Sequence, residues 1–161
     1  MADRRANNPS RELPLYEGQQ DLKLRTWVQL ARTFYLVQRR VVVTLARLDL
    51  TLPQFDVMAT LRFGENVTQQ ELAERLLVTK GNVCGVVTRL EACGWVERRA
   101  DPDDGRANRL RLTPAGRRKI ESVLPEHDAL VLEALSPLSA ADAKSLRGLL
   151  EEVARANQDA P

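Results

Sequence analysis

Residues 68–113, TQQELAERLLVTKGNVCGVVTRLEACGWVERRADPDDGRANRLRLT, read as two short helices followed by a charged hairpin. The first helix opens with a capping box, in which the Thr68 hydroxyl caps the amide of Glu71 and the Glu71 carboxylate reaches back. Leu72, Ala73 and Leu76 form its inner face. A polar break from Thr79 to Asn82 follows. Val83, Val86, Val87 and Leu90 then fall at i, i+3, i+4 and i+7, the spacing of one buried helical stripe. At about 100° per residue, the opposite face carries Gly81, Asn82, Gly85, Thr88 and Arg89. Small and hydrogen-bonding side chains there suit a helix that approaches base edges closely in a major groove. A solvated polar face is the alternative for any amphipathic helix, and paired helices also occur as plain packing units.

The hairpin adds weight to the first reading. Trp95 and Val96 close the helix pair, and Leu110 and Leu112 alternate inward on a return strand. Between them lies ADPDDGRAN, dense in turn-forming residues. Arg98, Arg99, Arg106, Arg109 and Arg111 are expected to project from this ribbon. Arg106 sits near its tip between Gly105 and Ala107, open for insertion into a narrow minor groove. Asp104, two residues away, is placed to hold the guanidinium by a charge-assisted hydrogen bond. Against this, Glu97, Asp101, Asp103 and Asp104 nearly balance the arginines, as in a solvated charged hairpin. Two helices and such a hairpin make a winged helix-turn-helix, a layout that points to duplex DNA. The candidate contact set is Thr68, Gln69, Thr79, Lys80, Gly81, Asn82, Gly85, Thr88 and Arg89 on the helices. Arg98, Arg99, Asp104, Arg106 and Arg109 complete it on the hairpin.

Four segments, LTLPQFDVMATL (50–61), TQQELAERL (68–76), TKGNVCGVVTRLEACGWVERR (79–99) and DPDDGRANRLRLTPAG (101–116), together resemble the MarR (multiple antibiotic resistance regulator) family. The resemblance covers residues 30–155. It implies a homodimeric transcription factor, usually a repressor, with the helix from Thr79 as recognition helix and the hairpin as wing. By the same resemblance Arg106 reaches the minor groove and Asp104 braces it. It also implies a small aromatic or phenolic effector in a cleft beside the reader, with Trp27, Tyr35, Phe55, Asp56 and Met58 as candidate walls. Asp56 and Arg98 match positions used by a urate-responsive subgroup. The recognition-helix arginine of that subgroup is Val86 here, so urate is not the expected effector.

The flanks read as helical scaffolding, so the expected fold is mostly α with a small β-wing. Leu24, Trp27, Val28, Ala31, Phe34, Tyr35, Val41, Val42, Leu45 and Leu48 form a wide stripe along one long helix. A further helix runs from Thr51 to Phe63, with Pro53 tolerated in its first turn. Thr113 and Pro114 begin another, which Pro125 is expected to kink or interrupt. Ser139 to Asp142 cap a last helix carrying Ala143, Leu146, Leu149, Leu150 and Val153. One domain over 1–161 is expected, with a DNA-binding lobe at 51–113 and dimerisation helices within 14–50 and 114–157. The end helices lack an obvious partner within one small domain, so a two-fold pairing is expected, with a pseudo-palindromic operator whose half-sites lie about one DNA turn apart.

A formal net charge of +2 requires nucleic-acid affinity to come from clustered charge such as Arg98–Arg99 and Arg117–Arg118–Lys119. No apolar run approaches the ~20 residues that span a bilayer, and no leader pattern is visible; the expectation is a soluble cytoplasmic protein without membrane association. The first dozen residues are polar and expected to fray. The two cysteines, Cys84 and Cys93, lie nine residues apart, too far on one helix for a disulfide. Both are read as small helix-packing residues, with a redox-responsive regulator acting through Cys84 as an alternative; oxidant-sensing relatives carry their reactive cysteine near the first long helix, where this chain has none. His127 stands alone, no phosphate loop or metal-ligand spacing appears, and neither catalysis nor a cofactor or metal is expected. The alternative of a different class is a winged-helix module that binds another protein.

Overall fold

A computed structural model describes residues 20–64, 66–100 and 108–158. Six helices and three short strands follow in the order α1 Leu22–Arg47, α2 Leu52–Phe63, β1 Val67–Thr68, α3 Gln69–Arg75, α4 Lys80–Ala92, β2 Val96–Ala100, β3 Asn108–Leu112, α5 Pro114–Ala134 and α6 Ala140–Gln158. The chain divides into two compact units, one ending at Arg40 and one beginning at Val41, so the boundary falls within α1. The fold is mostly α with a small antiparallel sheet of order β1-β3-β2. β1 is a strand that the sequence reading does not anticipate: two residues carry no period, and only the pairing of Val67 with Leu110 and Thr68 with Arg109 defines it.

Helix starts follow from hydroxyl caps. The side chains of Thr51, Thr68, Thr79 and Thr113 each accept an amide from the first turn of the helix that follows, and Ser139 does the same for Asp142. Each such cap satisfies one amide that the helix cannot pair internally. The core of the second unit gathers Leu45, Leu50, Phe55, Met58, Leu61, Leu72, Val83, Val87, Leu90, Leu110, Leu112, Ile120 and Val123. α5 is not interrupted at Pro125. Pro125 and Glu121, whose carbonyl loses its amide partner, both face solvent, where a free carbonyl costs little.

The junction of α5 with the hairpin is a backbone contact. Thr113 donates its amide to the Trp95 carbonyl at 3.0 Å and its hydroxyl to the Gly94 carbonyl at 2.7 Å. Three residues on, a Cβ at Gly116 would lie 1.9 Å from the Trp95 carbonyl oxygen, so only glycine fits. Lys119 Nζ donates to the Leu48 carbonyl at 2.8 Å and stands 5.3 Å from the centre of the Trp95 ring.

The ends contrast with this core. α6 has no buried residue, and Leu146, Leu149, Leu150 and Val153 are exposed along it. In the first unit Leu22, Leu24, Trp27, Leu30, Phe34 and Tyr35 are exposed on α1.

Candidate nucleic-acid interface

The inner stripe of α4 is buried as its spacing requires: Val83, Val86, Val87 and Leu90. Thr79, Lys80, Gly81, Asn82, Gly85, Thr88 and Arg89 are all exposed. Thr79 Oγ1 accepts the Asn82 amide at 3.3 Å, which leaves the Asn82 side-chain amide uncommitted to the cap. Thr88 Oγ1 donates to the Cys84 carbonyl at 3.0 Å and is therefore partly occupied by its own helix. Asn82, Val86 and Arg89, one helical row, border a cavity against α2, and Gly81, Gly85 and Thr88 lie to the other side of that row.

At the start of α3 the Thr68 amide donates to Glu71 Oε2 at 2.7 Å, and Thr68 Oγ1 accepts the Glu71 amide at 3.1 Å. These bonds from the Thr68 backbone and side chain hold the Glu71 carboxyl below its ordinary range, helped by the charges of Arg109 and Arg75. Gln69 is half-buried, and its side-chain amide nitrogen is sealed from solvent with no hydrogen-bond partner among the described residues.

The hairpin arginines do not all project. Val96 opposes Leu112, Arg98 opposes Leu110, Glu97 opposes Arg111 and Arg99 opposes Arg109. Because successive strand residues point to opposite faces, Arg98 shares the inner face with Val96 and Leu110. There it pairs with Glu91 of α4 at 2.7 Å. Adjacent Arg98 and Arg99 therefore lie on opposite faces of the strand. Arg99, Arg109 and Arg111 occupy the outer face with Glu97, which pairs with Arg99 at 3.1 Å and with Arg111. Arg109 donates to the Asn66 carbonyl at 2.8 Å. The expected tip residues Asp104 and Arg106 lie outside the described residues.

The five expected effector walls divide between the two units, Trp27 and Tyr35 in the first and Phe55, Asp56 and Met58 in the second. Phe55 and Met58 are core residues, and Trp27 and Tyr35 are exposed on α1. Asp56 alone of the five lines the cavity of about 320 Å³ between α2 and α4, with Pro53, Val57, Leu76, Val78, Asn82, Val83, Val86 and Arg89. Burial pushes the Asp56 carboxyl up from its ordinary 3.8, against a smaller opposing pull from His127. His127 lies with its ring 4.5 Å from that of Phe55 and Nδ1 3.0 Å from Asp128 Oδ1. The cavity's lining comes from α2, the α3–α4 turn and α4, which share no common period, so the sequence carries no signal for it.

Cys84 and Cys93 are both exposed, which corrects their reading as packing residues. Cys84 follows Val83 around the helix onto the outer face, and Cys93 is the C-cap of α4. No disulfide joins them. Among the described residues no helix is long and apolar enough to cross a membrane.

Comparison with known proteins fits this geometry. The family model described as the MarR family matches residues 48–107. An uncharacterised HTH-type transcriptional regulator of Bacillus cereus is 40% identical over 82 residues, covering 51% of this chain and 54% of that protein. The chain thus spans about half the length of such curated relatives. A probable transcriptional regulator from Pseudomonas aeruginosa is similar in structure, with a TM-score of 0.67 and 31% identity over 78% of this chain and 96% of that one. A mutant MarR from E. coli, complexed with operator DNA, gives a TM-score of 0.69 and 30% identity over 83% of this chain and 98% of that one.

Proposed function

The chain belongs to the MarR family, and from that premise we propose that it is a transcriptional regulator that binds duplex DNA as a homodimer, represses at a pseudo-palindromic operator and acts in the cytoplasm. One observation carries the reading. The whole outer face of α4 is exposed, begins at a capped N-terminus and is built of Gly81, Asn82, Gly85 and Thr88, a surface low enough for a helix to lie against base edges. The E. coli protein of similar fold holds operator DNA. Arg99 and Arg109 on the hairpin's outer face supply charge for the flanking backbone, with Arg106 assigned to the minor groove.

The dimer reading rests on α6. An uncovered row of Leu146, Leu149, Leu150 and Val153 is costly in water and is covered when two copies pair about a two-fold axis. Light scattering at micromolar concentration is expected to give twice the 18.1 kDa chain mass. A result of monomer alone would sink the dimer. Gel-shift titration at several salt concentrations on the DNA upstream of the chain's own gene is expected to show a steep negative log-log slope. A flat slope or no shift favours a protein-binding winged helix instead.

The effector reading moves to the cavity beside Asp56. Its wall includes Asn82 and Arg89, so a small aromatic or phenolic molecule seated there competes with DNA for the same two side chains. Release then requires tighter binding to the DNA-free form, each tenfold preference being worth about 1.4 kcal/mol. A thermal-shift screen of aromatic carboxylates followed by loss of gel shift tests this. A redox-responsive variant of the reading is favoured by the exposure of Cys84 between Val83 and Gly85. Alkylation with iodoacetamide is expected to abolish the gel shift in the native chain and to spare Cys84→Ser.

A further inference from the structure

The turn between α3 and α4 is built in a way that its own stability does not explain. α3 ends in a Schellman arrangement: the Leu77 amide donates to the Glu74 carbonyl at 3.2 Å and the Val78 amide to the Ala73 carbonyl at 3.0 Å. This pattern of bonds requires the residue after the cap to adopt a left-handed backbone, a place normally taken by glycine or asparagine. Here it is Leu77, at φ +54°. A leucine held there costs roughly 1–2 kcal/mol through the approach of its Cβ to the following carbonyl.

Burial does not repay that cost. Leu76 and Val78, on either side, line the α2–α4 cavity. Leu77 points the other way and is 93% exposed, more than any other large apolar side chain among the described residues. The chain therefore bears both a strained backbone and a bare leucine at one position, and no contact within the fold offsets either. Strain of this kind is retained where a function outside the fold uses it.

Its location says what that function is. Leu77 stands two residues before Thr79, the N-cap of α4, and leads directly into the low surface of Gly81, Asn82 and Gly85. In a helix laid in a major groove, the N-terminal end meets the base edges. The apolar feature on those edges is the thymine C5-methyl group, and aliphatic side chains read it by contact. Phosphates, the other nearby feature of a duplex, offer a leucine nothing.

We propose that Leu77 is a specificity-determining residue that packs on a thymine methyl group at the edge of the α4 footprint. The proposal rests on the reading of α4 as the recognition helix. The left-handed backbone at Leu77 goes with a side chain turned out to solvent. Glycine would keep the turn and lose the contact.

The test uses the full chain and a duplex that the wild-type protein enriches from a random-sequence pool. Leu77→Gly and Leu77→Asn both fit the left-handed turn, so each is expected to melt at or above the wild-type temperature, which establishes that the fold is intact. Each is expected to bind the enriched duplex about fivefold to tenfold more weakly, with an unchanged salt slope, since no charge is altered. Deoxyuridine is then placed at each thymidine in turn, removing only the methyl group. One such duplex is expected to weaken wild-type binding by that same factor and to leave Leu77→Gly unaffected. Equal affinity of wild type and both variants for the enriched duplex overturns the proposal, as does a scan in which no methyl group is missed. Failure of the wild type to enrich any duplex overturns the DNA reading itself, and this proposal with it, and is distinguishable because no variant is then involved.

Discussion

The lobe from α2 to β3 and the terminal helix α6 carry leucine and valine in similar proportion, yet they use them in opposite ways. In the lobe Leu61, Leu72, Leu90 and Leu110, from four different elements, are fully buried. In α6 the four apolar residues of the stripe remain exposed. Both segments have amphipathic spacing, so spacing alone does not say whether the partner of a stripe lies in the same chain. The difference is that the lobe's stripes find their partners within the chain, whereas the α6 stripe finds none among the described residues.

The sharpest way to break this contrast is to disturb the lobe's interior. Leu90→Ala is expected to cost about 2–5 kcal/mol by opening a cavity, and Gly116→Ala on the order of 3 kcal/mol by driving a methyl group into the Trp95 carbonyl. Denaturant melts should show both losses independent of protein concentration. Leu149→Glu on α6 is expected to do the reverse. It leaves the melt of dilute protein nearly unchanged and abolishes the concentration dependence of the dimer, read by light scattering; a loss matching Leu90→Ala at all concentrations would erase the distinction.

Smaller effects sharpen the comparison within the lobe. Asn82→Ala is expected to reduce base discrimination by about 1–3 kcal/mol with no change in melting, measured by gel shift on matched and mismatched duplexes. The smallest signal is in pH. Glu71 has its folded pKa lowered from 4.5, so its stabilising bonds are present above that value and fade as pH falls below it. Asp56 has its folded pKa raised from 3.8, so its contribution is greatest below that value and is lost as pH rises through the folded value. Glu71→Gln and Asp56→Asn should therefore flatten the stability profile in opposite senses, seen in melts taken across pH 3 to 7 (about the carboxylate range).

Much of the lobe was legible because local rules decide it. Thr68, Thr79 and Thr113 cap where their spacing to the apolar runs says they must, and the Val83, Val86, Val87, Leu90 stripe lies inward. What escaped depends on contacts between distant residues or on a rule overridden by residue type. β1 exists only through its pairing with β3. Arg98 was grouped with Arg99 by charge, although strand alternation separates them and Glu91 claims the first. The usual burial of cysteine favours a packing role for Cys84, while its position beside Val83 puts it on the outer face. The exposed α6 row is legible as a stripe and silent about its partner.

The seat of Gly116 on the Trp95 carbonyl has a mechanical consequence. Because main chain rests on main chain there, with Thr113 bonded to both Gly94 and Trp95, the first turn of α5 and the root of the hairpin move as one piece. The 21 residues of α5 form a lever about 30 Å long fixed rigidly to that root. A swing of its far end is passed to the hairpin without a compliant side chain to absorb it.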